Sequence, residues 1–192
     1  MEPLIKFVRI HSREEKDWPK VWEIYRRAFP ENEQWNETAY DKAFDDPLFE
    51  ADALTLDGAV VGLLFHWQIG VYRYIEHFAV AAEMRGRNIG SQTLAAFFGY
   101  AGERVLLEID PPDEAVSIRR LHFYERAGFV ANPDYEYLHP CYRAPFVPYP
   151  LLLLSRPQAL TREEARRFAD FVRERILGRY SEHEHPQLPA IS

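Results

Sequence analysis

The sequence predicts a mixed α/β domain in which a central, mostly antiparallel sheet of about seven strands is flanked by helices. Three observations lead to this fold class. Asp57-Gly58 separates two apolar runs, which is a strong signal for a β-hairpin. After a predicted strand at 72–80, a helix and another strand follow within 90–110, which indicates a crossover connection. A continuous apolar run at 149–155 is typical of a buried strand.

The bulk composition indicates one globular domain. The chain has 192 residues, of which 47% are hydrophobic and 28% charged. Its formal net charge of -7 argues against nucleic acid and anionic membranes as partners. No apolar run approaches the ~20 residues that a membrane span requires, and no signal-peptide pattern opens the chain. The single cysteine, Cys141, excludes an intramolecular disulfide, and we expect a cytoplasmic protein.

The N-terminal part of the chain predicts one strand and two helices. Residues 4–10 form the strand, and residues 17–30 form a helix that Asp17 caps and Pro30 ends. Asn36 is the predicted cap of a second, shorter helix.

The middle of the chain predicts a meander of three strands, a helix and a fourth strand. The hairpin around Asp57-Gly58 supplies the first two strands, and residues 72–80 supply the third. The helix that follows ends at Gly102, and residues 104–110 form the strand after it.

The C-terminal part predicts two helices and two strands. Asp113 is the predicted cap of a helix that Gly128 ends. Strands are predicted at 129–138 and 149–155, and a capping box that begins at Thr161 opens the last helix. We expect the organisation to be one domain (1–157), a C-terminal helix packed on it (158–180) and a flexible tail (181–192).

The turn between the strand at 72–80 and the next helix is predicted to bind an anion. The first backbone N–H groups of a helix lack partners within the helix and carry the positive end of its dipole. A glycine-rich turn lets a phosphate approach these groups, and arginines add charge. An ordinary turn with solvated arginines is the alternative. The residues concerned are Arg85, Gly86, Arg87, Asn88, Ile89, Gly90 and Ser91.

Two segments of the chain resemble a known family. "FAVAAEMRGRNIGSQTL" is similar to the acyl-CoA pyrophosphate loop of the GNAT superfamily of N-acetyltransferases, with Asn88 where the family usually has glycine. Asparagine tolerates left-handed backbone geometry better than other residues with a side chain. "SIRRLHFYERAGF" is similar to a later family segment, in which Tyr124 and Gly128-Phe129 match and Ser117 replaces a usual asparagine.

The resemblance implies a GNAT fold, acetyl-CoA as cosubstrate and a set of residues that bind it. These are the loop residues named above, the backbone of Phe78, Ala79 and Val80, and Ser117. The resemblance also places Tyr124 near the sulfur of CoA, where it would act as the general acid. A core aromatic on an amphipathic helix is the alternative for this tyrosine.

Glu76 is the candidate general base, because it stands on a strand where several family members carry an acidic residue near the substrate. A surface glutamate, or one that binds the substrate ammonium, is the alternative. The two-residue period of a strand predicts that Glu76 and Phe78 share one face and that His77 points to the other.

The acceptor side is predicted from charge and aromatic content. Glu31, Glu33 and Trp35 lie in the acidic segment between the first helices, and this charge suits a cationic acceptor. Tyr137 represents the aromatic segment 135–149, which is expected to form the other wall. A solvated acidic loop is the alternative. We predict no metal, because the closely spaced histidines of the tail lack further ligands.

Two functions remain open from the sequence, and the sequence does not separate the first from a variant that uses a longer acyl chain or a hydroxyl acceptor. The first is an acetyl-CoA-dependent N-acetyltransferase that acts on a primary amine of a small or peptidic acceptor. The resemblance also implies that a homodimer can form. The second is a GNAT-like regulatory module that binds acyl-CoA with little or no catalysis.

Overall fold

A computed structural model describes residues 5–139, 141–142, 146–178 and 191. The strands are β1 (Lys6–Ile10), β2 (Phe49–Leu56), β3 (Ala59–Ile69), β4 (Tyr72–Val80), β5 (Val105–Ile109), β6 (Val130–Ala131), β7 (Leu138–His139), β8 (Tyr149–Pro150) and β9 (Leu152–Arg156). The helices are α1 (Trp18–Ala28), α2 (Ala39–Phe44), α3 (Ile89–Ala101), α4 (Ala115–Arg126) and α5 (Arg162–Phe171).

Seven of these strands form one twisted sheet in the order β1-β2-β3-β4-β5-β9-β6. Every neighbouring pair in it is antiparallel except β4 and β5, which are parallel and joined by the crossover through α3. The predicted fold class is therefore confirmed. Strands β7 and β8 pair separately as a small second sheet.

Two hydrophobic cores cover the two faces of the sheet. Helices α1, α2 and α5 pack on one face, where Trp18, Tyr25 and Phe168 are buried. Helices α3 and α4 pack on the other face, where Leu94 and Tyr124 are buried. Because a sheet covered on both faces excludes water from its strands, a polar side chain on a central strand must find a partner inside the protein.

The N-terminal elements agree with the prediction except at two caps. Asp17 stands at the N-cap position of α1, but its side chain accepts no capping hydrogen bond. Asp57 and Gly58 have φ values of 51° and 83°, which are the left-handed conformations that the predicted two-residue hairpin requires. The second helix begins at Ala39 with Thr38 at its N-cap position, so the assignment of Asn36 as the cap was wrong. The backbone carbonyl of Asn36 instead accepts the N–H of Ala39 in a preceding turn.

The C-terminal strands are shorter than predicted, because proline and asparagine interrupt them. The predicted strand 129–138 divides into β6 and β7, which lie in different sheets. Asn132 ends β6: its side-chain N–H₂ group donates to Leu153 O and Ser155 Oγ, and Pro133 lacks the N–H needed to continue. The segment 149–155 likewise divides into β8 and β9.

The caps of the last two helices show one correction and one confirmation. Glu114, and not Asp113, is the N-cap residue of α4. The Ser117 hydroxyl accepts the N–H of Glu114, and the Glu114 side chain accepts the N–H of Ser117. The capping box of α5 is present as predicted, since Thr161 Oγ1 accepts the N–H of Glu164 and Glu164 Oε2 accepts the N–H of Thr161.

Helix α5 packs on the sheet through aromatic contacts. The ring centroids of Phe168 and Tyr74 are 4.9 Å apart, and those of Phe171 and Trp67 are 5.9 Å apart. The predicted tail at 181–192, with His183 and His185, lies outside the described residues apart from Ile191. Within the described ranges, no helix is long and apolar enough to cross a membrane.

A gap in the sheet lies between β4 and β5. Their ladder covers only three pairs, from Arg73↔Val105 to Ile75↔Leu107. Strand β4 then continues to Val80 without pairing to β5, so the two strands separate in the middle of the sheet. Backbone groups on this side of β4 are thereby left for a ligand.

Gly62 on β3 is expected to be essential for the position of β4. A Cβ atom at Gly62 would lie 2.5 Å from the carbonyl oxygen of Ala79. Gly62→Ala should therefore displace β4 and lower the free energy of unfolding by about 1–3 kcal/mol, measured by urea denaturation. Gly99→Ala in α3 is the matched control: a Cβ there meets nothing within 4 Å and should stabilise the helix by up to ~1 kcal/mol. Equal stability of the two variants would contradict this account.

Candidate active site

The loop before α3 has the backbone geometry of an anion site. Gly86 has φ 77°, and Asn88, the N-cap residue of α3, is left-handed with φ 60° and ψ 12°. Asparagine thus adopts the conformation for which glycine is usual, as the sequence predicted. The side chain of the N-cap residue, Asn88, makes no capping hydrogen bond to α3. The N–H groups of Ile89, Gly90 and Ser91 therefore remain at the positive end of the helix dipole.

Gly90 brings this loop close to α4. A Cβ atom at Gly90 would lie 3.2 Å from the ring of Phe123. A larger residue would therefore push the N-terminus of α3 away from α4.

A cavity of about 930 Å³ runs from this loop into the gap between β4 and β5. It brings together most of the site residues that the sequence predicted: Glu33, Glu76, Phe78, Ala79, Val80, Arg85, Gly86, Asn88, Ile89, Gly90, Ser91 and Tyr124. Five predicted residues do not line it: Glu31, Trp35, Arg87, Ser117 and Tyr137.

A β-bulge in β4 controls which side chains face the cavity. Phe65 of β3 pairs with His77, and His66 pairs with Ile75, so Glu76 is the extra residue. The bulge places Glu76 and His77 on the same face, toward α1 and α5, and Phe78 on the opposite face. The prediction that Glu76 shares a face with Phe78 and not with His77 was therefore wrong.

Glu76 is buried and held by neutral donors. Trp67 Nε1 donates to its Oε2 at 2.7 Å, and the Tyr142 hydroxyl donates to its Oε1 at 2.9 Å. Burial above all, together with the charge of Glu108, raises the pKa of Glu76 to about 8, and the two hydrogen bonds reduce this shift. Glu76 therefore titrates in the range that a general base needs.

His77 is buried and neutral beside Glu76. Burial lowers the pKa of His77 to about 3. Its Nε2 lies 3.4 Å from both the Tyr25 hydroxyl and the carbonyl oxygen of Glu33, and its Nδ1 lies 4.0 Å from Glu76 Oε2. His77 thus connects β4 to the acidic segment after α1.

Tyr124 lines the cavity from α4. Its ring packs against Phe129 in a T-shaped arrangement at 5.5 Å, and burial raises the pKa of Tyr124 to about 12. The phenol therefore keeps its proton at neutral pH and can donate it. Ser117, about two turns earlier, uses its hydroxyl in the cap of α4.

The acidic segment after α1 contributes one carboxylate to the cavity. Glu31 is exposed, whereas Glu33 lines the cavity, and its pKa is raised to about 7 by burial and then by the charge of Asp110. Trp35 and Tyr137 belong to the core instead: Trp35 stacks on Tyr40, and Tyr137 packs on Phe168.

Sequence reasoning missed two carboxylates of the cavity, Glu108 and Asp110. It did expect the aromatic segment 135–149 to form a wall, and His139, Tyr142 and Tyr149 of that segment line the cavity. Glu108 interrupts the apolar strand β5, and this interruption was a signal that could have identified it. The other side of the cavity comes from the predicted aromatic segment 135–149, but its individual residues carry no motif.

A second cluster of polar residues lies on the other face of the sheet. Ligand atoms of Glu50, Asp52 and His66 lie within 4.8 Å of one another, as in a metal site. Two arginines already pair with these carboxylates, since Arg9 Nε lies 2.8 Å from Asp52 Oδ1 and Arg73 Nη1 lies 2.9 Å from Glu50 Oε1. The cluster is therefore an ion-pair network across β1, β2 and β4.

Comparison with known proteins assigns this architecture. The model of the acetyltransferase (GNAT) family matches residues 18–129. Among solved structures, a protein from Bacteroides thetaiotaomicron assigned to the GNAT family aligns with a TM-score of 0.82 and 22% identity, covering 93% of this chain and 99% of that one. None of the curated proteins matches the chain.

Two further solved structures share the fold at lower similarity. The ribosomal-protein-S18-alanine N-acetyltransferase from Escherichia coli aligns with a TM-score of 0.58 and 16% identity, covering 82% of this chain and 96% of that one. An aminoglycoside 6'-N-acetyltransferase complexed with coenzyme A aligns with a TM-score of 0.56 and 15% identity, covering 80% and 96%.

The raised pKa of Glu76 has a consequence for stability. The folded protein retains, between pH ~4.5 and pH ~8, a proton that the unfolded chain releases, so a rise in pH across this window destabilises the fold. Glu76→Gln removes this effect. The melting temperature of the variant relative to wild type should therefore increase steadily from pH 5 to pH 9 in scanning calorimetry. A difference that stays constant over this range would contradict the buried, protonated state of Glu76.

Proposed function

Because the chain belongs to the acetyltransferase (GNAT) family, we propose that it transfers an acetyl group from acetyl-CoA to a primary amine of a small or peptidic acceptor. The observation that carries this proposal is the single cavity that joins the helix N-terminus of α3 to a buried carboxylate of raised pKa. We assign the acetyltransferase domain to residues 1–157 and propose that α5, within the predicted segment 158–180, is a helix packed on it. A cytoplasmic location and a homodimer remain predictions.

The loop before α3 supports the binding of acetyl-CoA. The uncapped N–H groups of residues 89–91 and the left-handed Asn88 form a concave backbone surface suited to a pyrophosphate. Arg85 lines the same cavity and adds positive charge. The separation of β4 from β5 leaves the backbone of Phe78–Val80 for the pantetheine arm, and the cavity volume of about 930 Å³ accommodates both.

The opposite end of the cavity supports a cationic acceptor. Glu33, Glu76, Glu108 and Asp110 all line it, and the aromatic rings of Tyr142 and Tyr149 lie among them. Carboxylates attract an ammonium, and aromatic faces contact its methylene groups and its charge. Both small and peptidic primary amines fit this chemistry.

Direct transfer assigns one role to each of two residues. Ionised Glu76 accepts a proton from the bound ammonium, and the neutral nitrogen then attacks the thioester carbonyl carbon. Backbone N–H groups of β4 stabilise the oxyanion that forms there. The C–S bond breaks as Tyr124 hydrogen-bonds to the leaving sulfur and supplies its proton. The second proton of the nitrogen restores Tyr124, and Glu76 releases its proton to solvent. The products are therefore the acetylated amine, CoA and one proton.

Thiol release from acetyl-CoA tests the proposal. Purified protein is incubated with acetyl-CoA and a panel of primary amines, which includes alkylamines, polyamines, aminoglycosides and peptides with a free N-terminus or lysine. Amine-dependent thiol release is the expected result. Calorimetric binding of acetyl-CoA without thiol release for any amine would instead support the regulatory acyl-CoA module.

Arg85 and Arg87 are expected to differ in their effect on CoA binding. Arg85 lines the cavity, whereas Arg87 does not. Arg85→Ala should weaken acetyl-CoA binding about tenfold, whereas the matched control Arg87→Ala should change it less than about threefold. Isothermal titration with acetyl-CoA measures both values. Unchanged affinity in Arg85→Ala would separate this arginine from the pyrophosphate.

Tyr124→Phe tests the role of the phenol. Loss of the proton donor should lower kcat by about 10²-fold or more and leave acetyl-CoA affinity within about twofold. Stopped-flow thiol detection and calorimetry measure the two quantities. A kcat equal to that of wild type would make Tyr124 a packing residue.

A further inference from the structure

Glu76 and Glu108 occupy equivalent positions on neighbouring parallel strands. The last pair of the β4–β5 ladder is Ile75↔Leu107, so each glutamate is the first residue after the ladder ends. Both side chains face α5, since Glu76 bonds to Trp67 and Glu108 bonds to Tyr74. Both also line the cavity, although only 3% of the Glu76 side chain and 6% of the Glu108 side chain are exposed.

The hydrogen bonds to this pair come from neutral groups. In addition to the indole and phenol that bind Glu76, the Tyr74 hydroxyl donates to Glu108 Oε2 at 2.6 Å. Within the described residues, neither glutamate forms an ion pair with lysine or arginine. Glu108 Oε1 is buried without a hydrogen bond in that part of the chain.

Other buried carboxylates of this protein do have an arginine. Asp52, whose side chain is 2% exposed, pairs with Arg9 at 2.8 Å. Asp46, whose side chain is 1% exposed, pairs with Arg175 at 2.6 Å. A buried carboxylate without a cation is costly, and two adjacent ones repel each other. Glu76 and Glu108 therefore lack the arginine that compensates Asp52 and Asp46.

The two nearest histidines do not hydrogen-bond to either glutamate. His77 Nδ1 lies 4.0 Å from Glu76 Oε2 and is buried without a hydrogen bond among the described residues. Burial lowers the pKa of His77 and keeps its ring neutral. His139 Nε2 lies 3.9 Å from Glu108 Oε2, beyond hydrogen-bond distance. Both glutamates line the cavity, so a ligand in it can reach their carboxyl groups.

From these contacts we propose that Glu76 and Glu108 together form a cation subsite that binds the acceptor as its ammonium, with Glu108 as a further binding residue. The acceptor is thereby an aliphatic amine that is protonated when it binds, and not a neutral arylamine or an alcohol. The ammonium supplies the counter-charge that both carboxylates lack, and it lies within reach of the base that deprotonates it. This inference rests on the proposed N-acetyltransferase function.

Binding of 2-phenylethylamine and of 2-phenylethanol to the protein complexed with free CoA tests the subsite. Free CoA carries no acetyl group, so no turnover interferes. At pH 8.5 the amine is cationic and the alcohol is a neutral molecule of the same size. Wild type should bind the amine at least about tenfold more tightly, as measured by NMR titration. A preference below about threefold would overturn the inference without any variant.

Glu108→Gln and Asp110→Asn separate the specific pair from the general field of the cavity. Glu108→Gln should reduce amine affinity about tenfold and leave the affinities for alcohol and CoA unchanged. It should also raise the melting temperature at pH 8.5, because the repulsion with Glu76 is removed. Asp110 lines the same cavity but pairs with Arg120 at 2.5 Å, so Asp110→Asn should cost less than about threefold. Equal losses in the two variants would overturn the role of Glu108.

Thiol release in the presence of acetyl-CoA distinguishes the two proposals. Glu108-dependent amine binding without thiol release from any amine supports the cation subsite and contradicts the transferase. Thiol release together with equal binding of amine and alcohol supports the transferase and contradicts the subsite.

Discussion

The end of the β4–β5 ladder after Ile75↔Leu107 is the constraint on which the site depends. A parallel pair in the centre of a sheet normally continues to the end of both strands, with both faces covered by helices. Here the strands separate while β3 holds β4 in place on its other side. The gap exposes backbone groups and two carboxylates inside an otherwise closed core. The cavity runs from the loop before α3 into this gap, and the aromatic segment 135–149 lines its other side.

The bulge at Glu76 is the second element of the same arrangement. One extra residue in β4 turns both Glu76 and His77 toward α1 and α5, where Trp67 and Tyr25 bind them. An uninterrupted strand would send one of these side chains into the opposite core. The bulge therefore places both polar side chains on the face toward α1 and α5 and leaves Phe78 to pack near α3 and α4.

The sequence predicted the parts of this protein that depend on local rules. The hairpin at Asp57-Gly58, the capping box at Thr161 and the left-handed Asn88 follow from the preferences of short segments. The order of strands and helices follows from hydrophobic periodicity. The division of the strand after Phe129 and the bulge in β4 depend on partners distant in the sequence, so periodicity alone does not reveal them. The same holds for Glu108 on the neighbouring strand, and for the hydrogen bond that Tyr142 of the expected aromatic wall donates to Glu76.

The hydrogen bond from Trp67 Nε1 to Glu76 Oε2 also couples the ionisation of Glu76 to the optical spectrum of an indole ring. An indole that donates to a charged carboxylate and one that donates to a neutral carboxyl group experience different electric fields, and their absorption and emission differ accordingly. The chain has four tryptophans, and this one donates to the carboxyl group that we propose as the general base. The absorption and emission of Trp67 therefore report the charge of Glu76 without any added label.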